Sequence, residues 1–123
     1  MSSEMRTIKF RGKDRKTNEW FYGNLYDKDD QGRTHICTTS RGSLDVIPDT
    51  IGQFTGLFDK NGKEIYEGDI LLRVGRDCEN DKIDKVEYIG SGFYFGILEP
   101  LSNSNDRMER IGNIHDNPEL LKL

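Results

Sequence analysis

Apolar and polar positions alternate from the start of the chain with the period of two that marks a strand. Ile8 and Phe10 alternate with Lys9 and Arg11, and after a polar stretch over 12–19 comes the aromatic-rich run from Trp20 to Tyr26. Successive side chains of a strand point to opposite faces, so the pattern predicts a β-hairpin over 6–26. A turn at 27–32 leads to Thr34, Ile36 and Thr38, which alternate with His35, Cys37 and Thr39 as in a short half-buried strand whose β-branched side faces a core. Residues 40–43 read as a polar loop and 44–47 as an apolar run stopped by Pro48. Asp49 and Thr50 with Gly52 then predict an Asx-type turn before a strand over 54–58.

The run Asp59, Lys60, Asn61, Gly62 is the strongest local signal, because Asn-Gly accepts the positive φ that tight hairpin turns demand. Glu67, Gly68 and Asp69 form another bend, 70–74 a buried strand closed by Gly75, and 75–84 an acidic loop expected to be mobile. Residues 85–89 and 93–98 predict a second hairpin, joined by a three-residue connection of Gly90, Ser91 and Gly92. Near the end, Asn117 as N-cap, Pro118 at the first helical position and Glu119 beside the positive end of the dipole predict one short helical turn. Residues 1–5 are expected to be disordered. Short strands punctuated by turns point to a mainly β fold in one domain over 1–123. The expected form is a small, partly open antiparallel barrel with an added N-terminal hairpin and a short C-terminal helical turn, and a sheet packed on one helix is the alternative.

Composition agrees with a small β domain. The 123 residues are 33% apolar and 33% charged, enough for one modest core, and there are 13 glycines and no alanine, which argues against a helical bundle. With 18 Lys and Arg against 22 Asp and Glu the net charge is −4, so the whole molecule is weakly repelled by phosphate backbones. A local basic strip nevertheless runs through Arg6, Lys9, Arg11, Lys13, Arg15 and Lys16, faced only by Glu4 and Asp14. Two cysteines, Cys37 and Cys78, are too few for a disulfide framework. No apolar run reaches signal-peptide or membrane-spanning length, so a cytoplasmic protein with free thiols and no membrane contact is expected.

Three stretches taken together resemble the YopX family of bacteriophage and prophage proteins. They are Ile8-Lys9-Phe10-Arg11 with Trp20-Phe21-Tyr22-Gly23, then Thr50-Ile51-Gly52-Gln53-Phe54-Thr55-Gly56-Leu57 running into Asp59-Lys60-Asn61-Gly62 and on through Glu67-Gly68-Asp69-Ile70, and finally Ile111-Gly112-Asn113-Ile114 with Asn117-Pro118-Glu119-Leu120-Leu121. The resemblance implies an SH3-like barrel with β additions, a phage origin and a bacterial host cell, but no activity. Residues 75–84 and 102–108 fall between the matching blocks and are expected to be variable loops. Within the central stretch, Thr50, Gly52, Gln53, Thr55, Gly56, Asp59, Gly62, Gly68 and Asp69 each have a sufficient turn-forming role. The functional alternative is a small polar pocket lined by Gln53, Thr55, Asp59 and Asp69.

Candidate chemistry is sparse. His35, Cys37, Cys78 and His115 number enough for zinc but lack ligand spacing. Asp27, Asp29 and Gln31, or Asp77, Glu79 and Asp81, place oxygens as a calcium loop does, yet Thr38 and Tyr88 stand where the closing Glu belongs. There is no nucleophile elbow or phosphate loop, and nothing brings a carboxylate pair such as Asp45 and Asp49 together. A non-enzymatic protein without a cofactor is therefore expected, binding a host or phage protein or a second copy of itself. The alternative is nucleic-acid binding by a surface of Arg11, Trp20, Tyr22 and Arg41 with Phe10, unless Trp20 and Phe10 are core residues; a metal-dependent hydrolase is the remaining possibility.

Overall fold

Asp14 and Asn18 make the first hairpin. In the computed structural model, which describes residues 7–122, β1 (Phe10–Lys13) pairs antiparallel with β2 (Trp20–Tyr26) in the register Lys13 to Trp20 and Phe10 to Gly23. The turn between them is held by the Asp14 carboxylate, which accepts the Thr17 N–H at 3.0 Å and its hydroxyl at 2.9 Å, while Asn18 takes the left-handed φ of 67°. Arg6 of the basic strip and the expected disorder of 1–5 lie outside the described residues.

The chain forms two compact units, Met1–Phe54 and Thr55–Leu123. In the first, β3 (His35–Thr38) pairs with β2 and β4 (Gly42–Asp45) with β3, and β5 (Gly52–Phe58) begins beside β1, giving the order β4-β3-β2-β1-β5. The end of β4 turns back to the end of β1: Val46 bridges Asp14, and the Ile47 N–H donates to the Lys13 carbonyl at 2.9 Å. Ile36, Val46 and Phe54 are its buried apolar residues. Gly12 lies among them because a Cβ there would come within 3.2 Å of Val46, and Gly23 lies where a Cβ would meet the Cys37 carbonyl oxygen at 2.2 Å.

In the second unit, the end of β5 runs beside β6 (Glu64–Tyr66). A five-stranded antiparallel sheet follows, ordered β10-β9-β8-β7-β11, from β7 (Asp69–Arg73), β8 (Lys82–Ile89), β9 (Gly92–Phe95), β10 (Glu99–Pro100) and β11 (Met108–Asn113). Ile65, Leu71, Val86, Phe95, Leu101 and Met108 form the core, with Leu57 and Phe93 packed against it. Both edges of this sheet are blunted. β10 is two residues long and contains Pro100, while the 59–63 turn covers part of β11, with the Lys60 N–H on the Met108 carbonyl at 2.8 Å.

The fold is mainly β, with two antiparallel sheets, neither closed, and helical structure limited to short 3-10 turns. Several local expectations shift. Residues 42 and 43 belong to β4 instead of a loop, because the Thr38 hydroxyl tightens the turn by accepting the Arg41 N–H and Gly42 enters the strand at φ 69°. The Asx-type turn at Asp49 is a 3-10 turn, Pro48–Thr50, and β5 starts at Gly52. The β8–β9 connection is two residues, because Gly92 pairs with Ile89 and Gly90 alone, at φ 64°, supplies the reversal. β8 reaches back to Lys82, shortening the acidic loop. The strand expected over 93–98 stops at Phe95, where Gly96 turns the chain at φ 70°, and β10 and β11 lie where the sequence pattern predicts no strand. The terminal turn is present as the 3-10 segment Pro118–Leu121, but the Asn117 side chain makes no cap bond. Its Oδ1 accepts the Asn113 N–H at 3.2 Å instead.

Candidate functional site

Strand alternation sorts the four candidate binding residues. Lys13 pairs with Trp20 and Arg11 with Tyr22, so Arg11, Lys13, Trp20 and Tyr22 share one face of the β1–β2 hairpin. The Arg11 guanidinium lies 4.7 Å from the Trp20 ring centroid and the Lys13 ammonium 5.4 Å. Lys9 sits 5.5 Å from the Phe54 ring. Arg41 belongs to the opposite face, where its guanidinium lies 5.4 Å from the ring of Phe21. Arg11 is 3% exposed, Trp20 and Phe10 are half-buried, and Tyr22 is 43% exposed. The four residues therefore do not make one surface. A stacking platform needs an open ring face and an accessible phosphate donor; here Trp20 already carries two cations, and Arg11 is buried.

The central motif residues are spent on backbone. The Thr50 hydroxyl donates to the Ile47 carbonyl at 2.6 Å and accepts the Lys13 N–H at 2.9 Å. Thr55 donates to the Ile65 carbonyl at 2.8 Å and accepts the Leu57 N–H at 3.2 Å. Asp69, fully buried, accepts the Tyr66 N–H at 2.7 Å. Gly56, Gly62 and Gly68 take φ of 84°, 82° and 92°, which explains glycine at these bends. Gly52 and Gln53 are register partners of Arg11 and Phe10. Asp59 is the most heavily used: Oδ1 accepts N–H groups of Asn61 and Lys63, each at 2.9 Å, and Oδ2 that of Arg110, also at 2.9 Å. Burial pushes its pKa up, but the three N–H donors, from Arg110, Lys63 and Asn61, outweigh it and hold the carboxyl below its ordinary value. These are the bonds of turns and edges, and they leave Thr55, Asp59 and Asp69 turned to backbone, not to a common pocket.

The metal candidates are dispersed among other duties. His35 Nε2 donates to Asp29 Oδ2 at 2.7 Å, Cys37 is half-buried on the same strand, and Cys78 is exposed in the second unit. Among the described residues no group of three or more His, Cys, Asp or Glu could hold a metal ion. In the first calcium-like stretch, Asp29 accepts the Gln31 and Arg33 N–H groups and Asp27 the Thr34 hydroxyl. In the second, Asp81 accepts the Gly75 N–H, and Glu79 binds the Arg76 N–H and the Arg107 guanidinium. Beside this loop is a shallow depression of about 550 Å³ lined by Arg76, Asp77, Cys78, Glu79 and Arg107.

Asp29 carries a testable consequence. The Arg33 N–H, followed by His35, lowers its pKa from 3.8 to about 2, so folding favours the ionised carboxylate. Its contribution to stability is complete above pH about 4 and is lost as the pH falls towards about 2. Asp29→Asn should therefore lower the thermal midpoint at pH 6, and the difference from the parent should shrink steadily on acidification below about pH 4. A difference that stays constant down to pH 2 would refute this account.

Sequence reasoning missed the most exposed apolar pair. Ile97 and Leu98, 71% and 85% exposed, stand at the tip of the turn between β9 and β10. Gly96 and Pro100 bracket the pair and were the available signal for a turn there. Tyr88 and Ile89, 52% and 39% exposed, lie at the end of β8, beside the turn that leads into β9.

A family model described as YopX protein matches residues 9–122. The chain is also similar to a solved structure, the crystal structure of protein EF1440 from Enterococcus faecalis. The two are 30% identical with a TM-score of 0.65, over 96% of this chain and 100% of that one. No curated protein matches the sequence.

Proposed function

Because the chain belongs to the YopX family, we propose that it is a phage or prophage accessory protein, a non-enzymatic β module that works in the cytoplasm of a bacterial host by binding another protein. The observation that carries this reading is the distribution of exposed side chains. Large apolar groups, Ile97, Leu98 and Tyr88, stand out from the second unit, while Arg11 and Lys13 of β1 are stacked on Trp20. Exposed apolar groups gain by leaving water with a partner protein, whereas a nucleic-acid surface presents free cations and open ring faces. The blunted edges of the five-stranded sheet favour docking through side chains over strand addition. An SH3-like relationship of the strands is part of the proposal and is supported by the short antiparallel strands joined by tight turns. No helix among the described residues is long and apolar enough to cross a membrane.

The test is retention. Immobilised protein should hold a distinct protein from nuclease-treated extract of the bacterium that encodes it, and labelled single-stranded DNA should not shift at low ionic strength. If nothing is retained and light scattering shows a monomer, the reading fails. A DNA shift that fades with added salt and with Arg41→Glu would replace it with the nucleic-acid alternative.

A further inference from the structure

Asparagine followed by glycine is chemically labile, because the glycine nitrogen, unhindered by a side chain, can attack the side-chain carbonyl carbon of the asparagine before it. Of the eight asparagines in the chain only Asn61 precedes a glycine. Both residues are exposed, a Cβ at Gly62 would meet nothing within 4 Å, and among the described residues nothing hydrogen-bonds the Asn61 side-chain amide, so water and hydroxide reach the pair. The turn nevertheless holds the two reacting atoms apart. The Gly62 N–H donates to the Asp59 carbonyl at 3.0 Å across Lys60 and Asn61, neither of which has a positive φ. A bonded turn with two negative φ values is type I, whose third residue has ψ near zero, whereas a five-membered ring through Gly62 N and Asn61 Cγ needs that ψ rotated by about 120°. The rotation would break the Gly62 bond and pull the Asn61 and Lys63 N–H groups off Asp59 Oδ1, which holds each at 2.9 Å. It would also work against the bonds to β11, from the Arg110 N–H to Asp59 Oδ2 and from the Lys60 N–H to the Met108 carbonyl.

We propose that Asn61 is a spontaneous modification site that the fold keeps closed, converting to aspartate and isoaspartate when the 59–63 turn opens. In the opened turn the Gly62 nitrogen gives up its proton to hydroxide and attacks Asn61 Cγ. The N–Cγ bond forms, the Cγ–Nδ2 bond breaks, and the amide nitrogen leaves as ammonia after taking a proton from water. A second water then opens the cyclic imide at either carbonyl, so the sum is loss of ammonia and gain of water, with no change of oxidation state. Opening at one carbonyl leaves aspartate. Opening at the other leaves isoaspartate, in which the main chain runs through the side-chain methylene and carries one more atom between residues 61 and 62. The longer chain cannot present the Asn61, Gly62 and Lys63 N–H groups to Asp59 together, so the change is one-way. Its rate follows the population of opened turns, which Asp59 keeps low. The proposal is independent of what the protein binds.

The experiment incubates the purified full chain in mildly alkaline buffer and follows position 61 by peptide mass mapping, with isoaspartate measured by enzymatic methyl transfer from an isoaspartyl methyltransferase. Conversion at Asn61 should be at least about tenfold slower in the folded parent than in the same protein unfolded in urea. In folded Asp59→Ala it should be at least about fivefold faster than in the folded parent, while Asn103, exposed and followed by Ser104, should convert at the same rate in both. Near-UV circular dichroism checks that Asp59→Ala is folded. If it is not, the parent in urea below its unfolding transition takes its place, and conversion at Asn61 should rise there before the near-UV signal is lost. A folded parent that converts as fast as the unfolded chain overturns the proposal, as does an unfolded chain that does not convert at Asn61. An Asp59→Ala rate equal to the parent's, or an equal acceleration at Asn103, overturns it too.

Discussion

Asp59→Ala is expected to destabilise the protein by about 3 kcal/mol, summed over three lost hydrogen bonds to a carboxylate. Asp59 is 5% exposed, and its two oxygens tie the 59–63 turn to itself and to Arg110, 51 residues away. Alanine leaves the Asn61 and Lys63 N–H groups to find water at modest cost, while the half-buried Arg110 N–H on β11 loses its acceptor outright. The same turn places the Lys60 N–H on the Met108 carbonyl, so loosening it also uncovers the edge of β11, and the variant should aggregate more readily on partial unfolding. Asp59→Asn, which keeps one acceptor oxygen, should cost about half as much. The Asp59→Ala penalty should narrow below pH about 4, because the folded carboxyl titrates below its ordinary value and its stabilisation is lost as it protonates. Urea denaturation with an unchanged m-value measures this; a loss under about 0.5 kcal/mol would mean that the carboxylate is not what holds the turn.

The second large effect belongs to Glu99. Its carboxylate accepts from the Arg73 guanidinium and from the Ser104 hydroxyl, which joins β7 to β10 and to the 3-10 segment beyond it. The side chain of Arg73 is 13% exposed and that of Glu99 22%, and Arg73 also lies 5.9 Å from the Phe95 ring centroid. Glu99→Ala strands the Arg73 charge and removes the partner of a nearly buried hydroxyl. Breaking a fully buried pair costs about 3–5 kcal/mol; residual solvent contact reduces the expectation here to about 2 kcal/mol. Arg73→Met combined with Glu99→Leu should cost much less than the single changes predict together, because no charge is then left without its partner. Strict additivity in this double-mutant cycle would show that the two side chains do not act as a pair.

The readable parts of the chain were those whose cause is local. Asn18, Gly62 and Gly68 adopt positive φ because the turns require it, and Asp14, Asp29 and Asp59 accept amides two to four residues ahead, so the bends could be placed from residue type alone. The alternation of β3 and of the 85–89 part of β8 and the aromatic run of β2 were equally legible, whereas residues 82–84 of β8 read as loop. β10 and β11 were not, because Pro100 obscures a two-residue strand and Met108, Glu109, Arg110, Ile111 and Gly112 do not keep the alternation; β11 carries a bulge between Arg110 and Gly112. The candidate surface failed for a similar reason. Arg11, Trp20, Tyr22 and Arg41 are suitable residue types, but whether a guanidinium faces water or a neighbouring ring depends on cross-strand register, which residue type does not record.

The amino-acid sequence alone settled a great deal about this protein: a mainly β chain of short strands, most of its bends, such as those at Asp59, Gly62, Gly68 and Gly90, and membership of the YopX family through the order of those turn residues. Each of these follows from interactions within a few positions, where backbone sterics and side-chain hydrogen bonds act irrespective of the rest of the molecule. Tertiary structure alone decided that Asp59 accepts the N–H of Arg110, 51 residues away in β11, that Arg11 is buried against Trp20, and that Ile97 and Leu98 project instead of filling a strand. Those outcomes depend on which strands pair and in what register. That is a cooperative choice of the whole chain, and it separates a charge that binds from one that is already bound, and an apolar pair that packs from one left facing water.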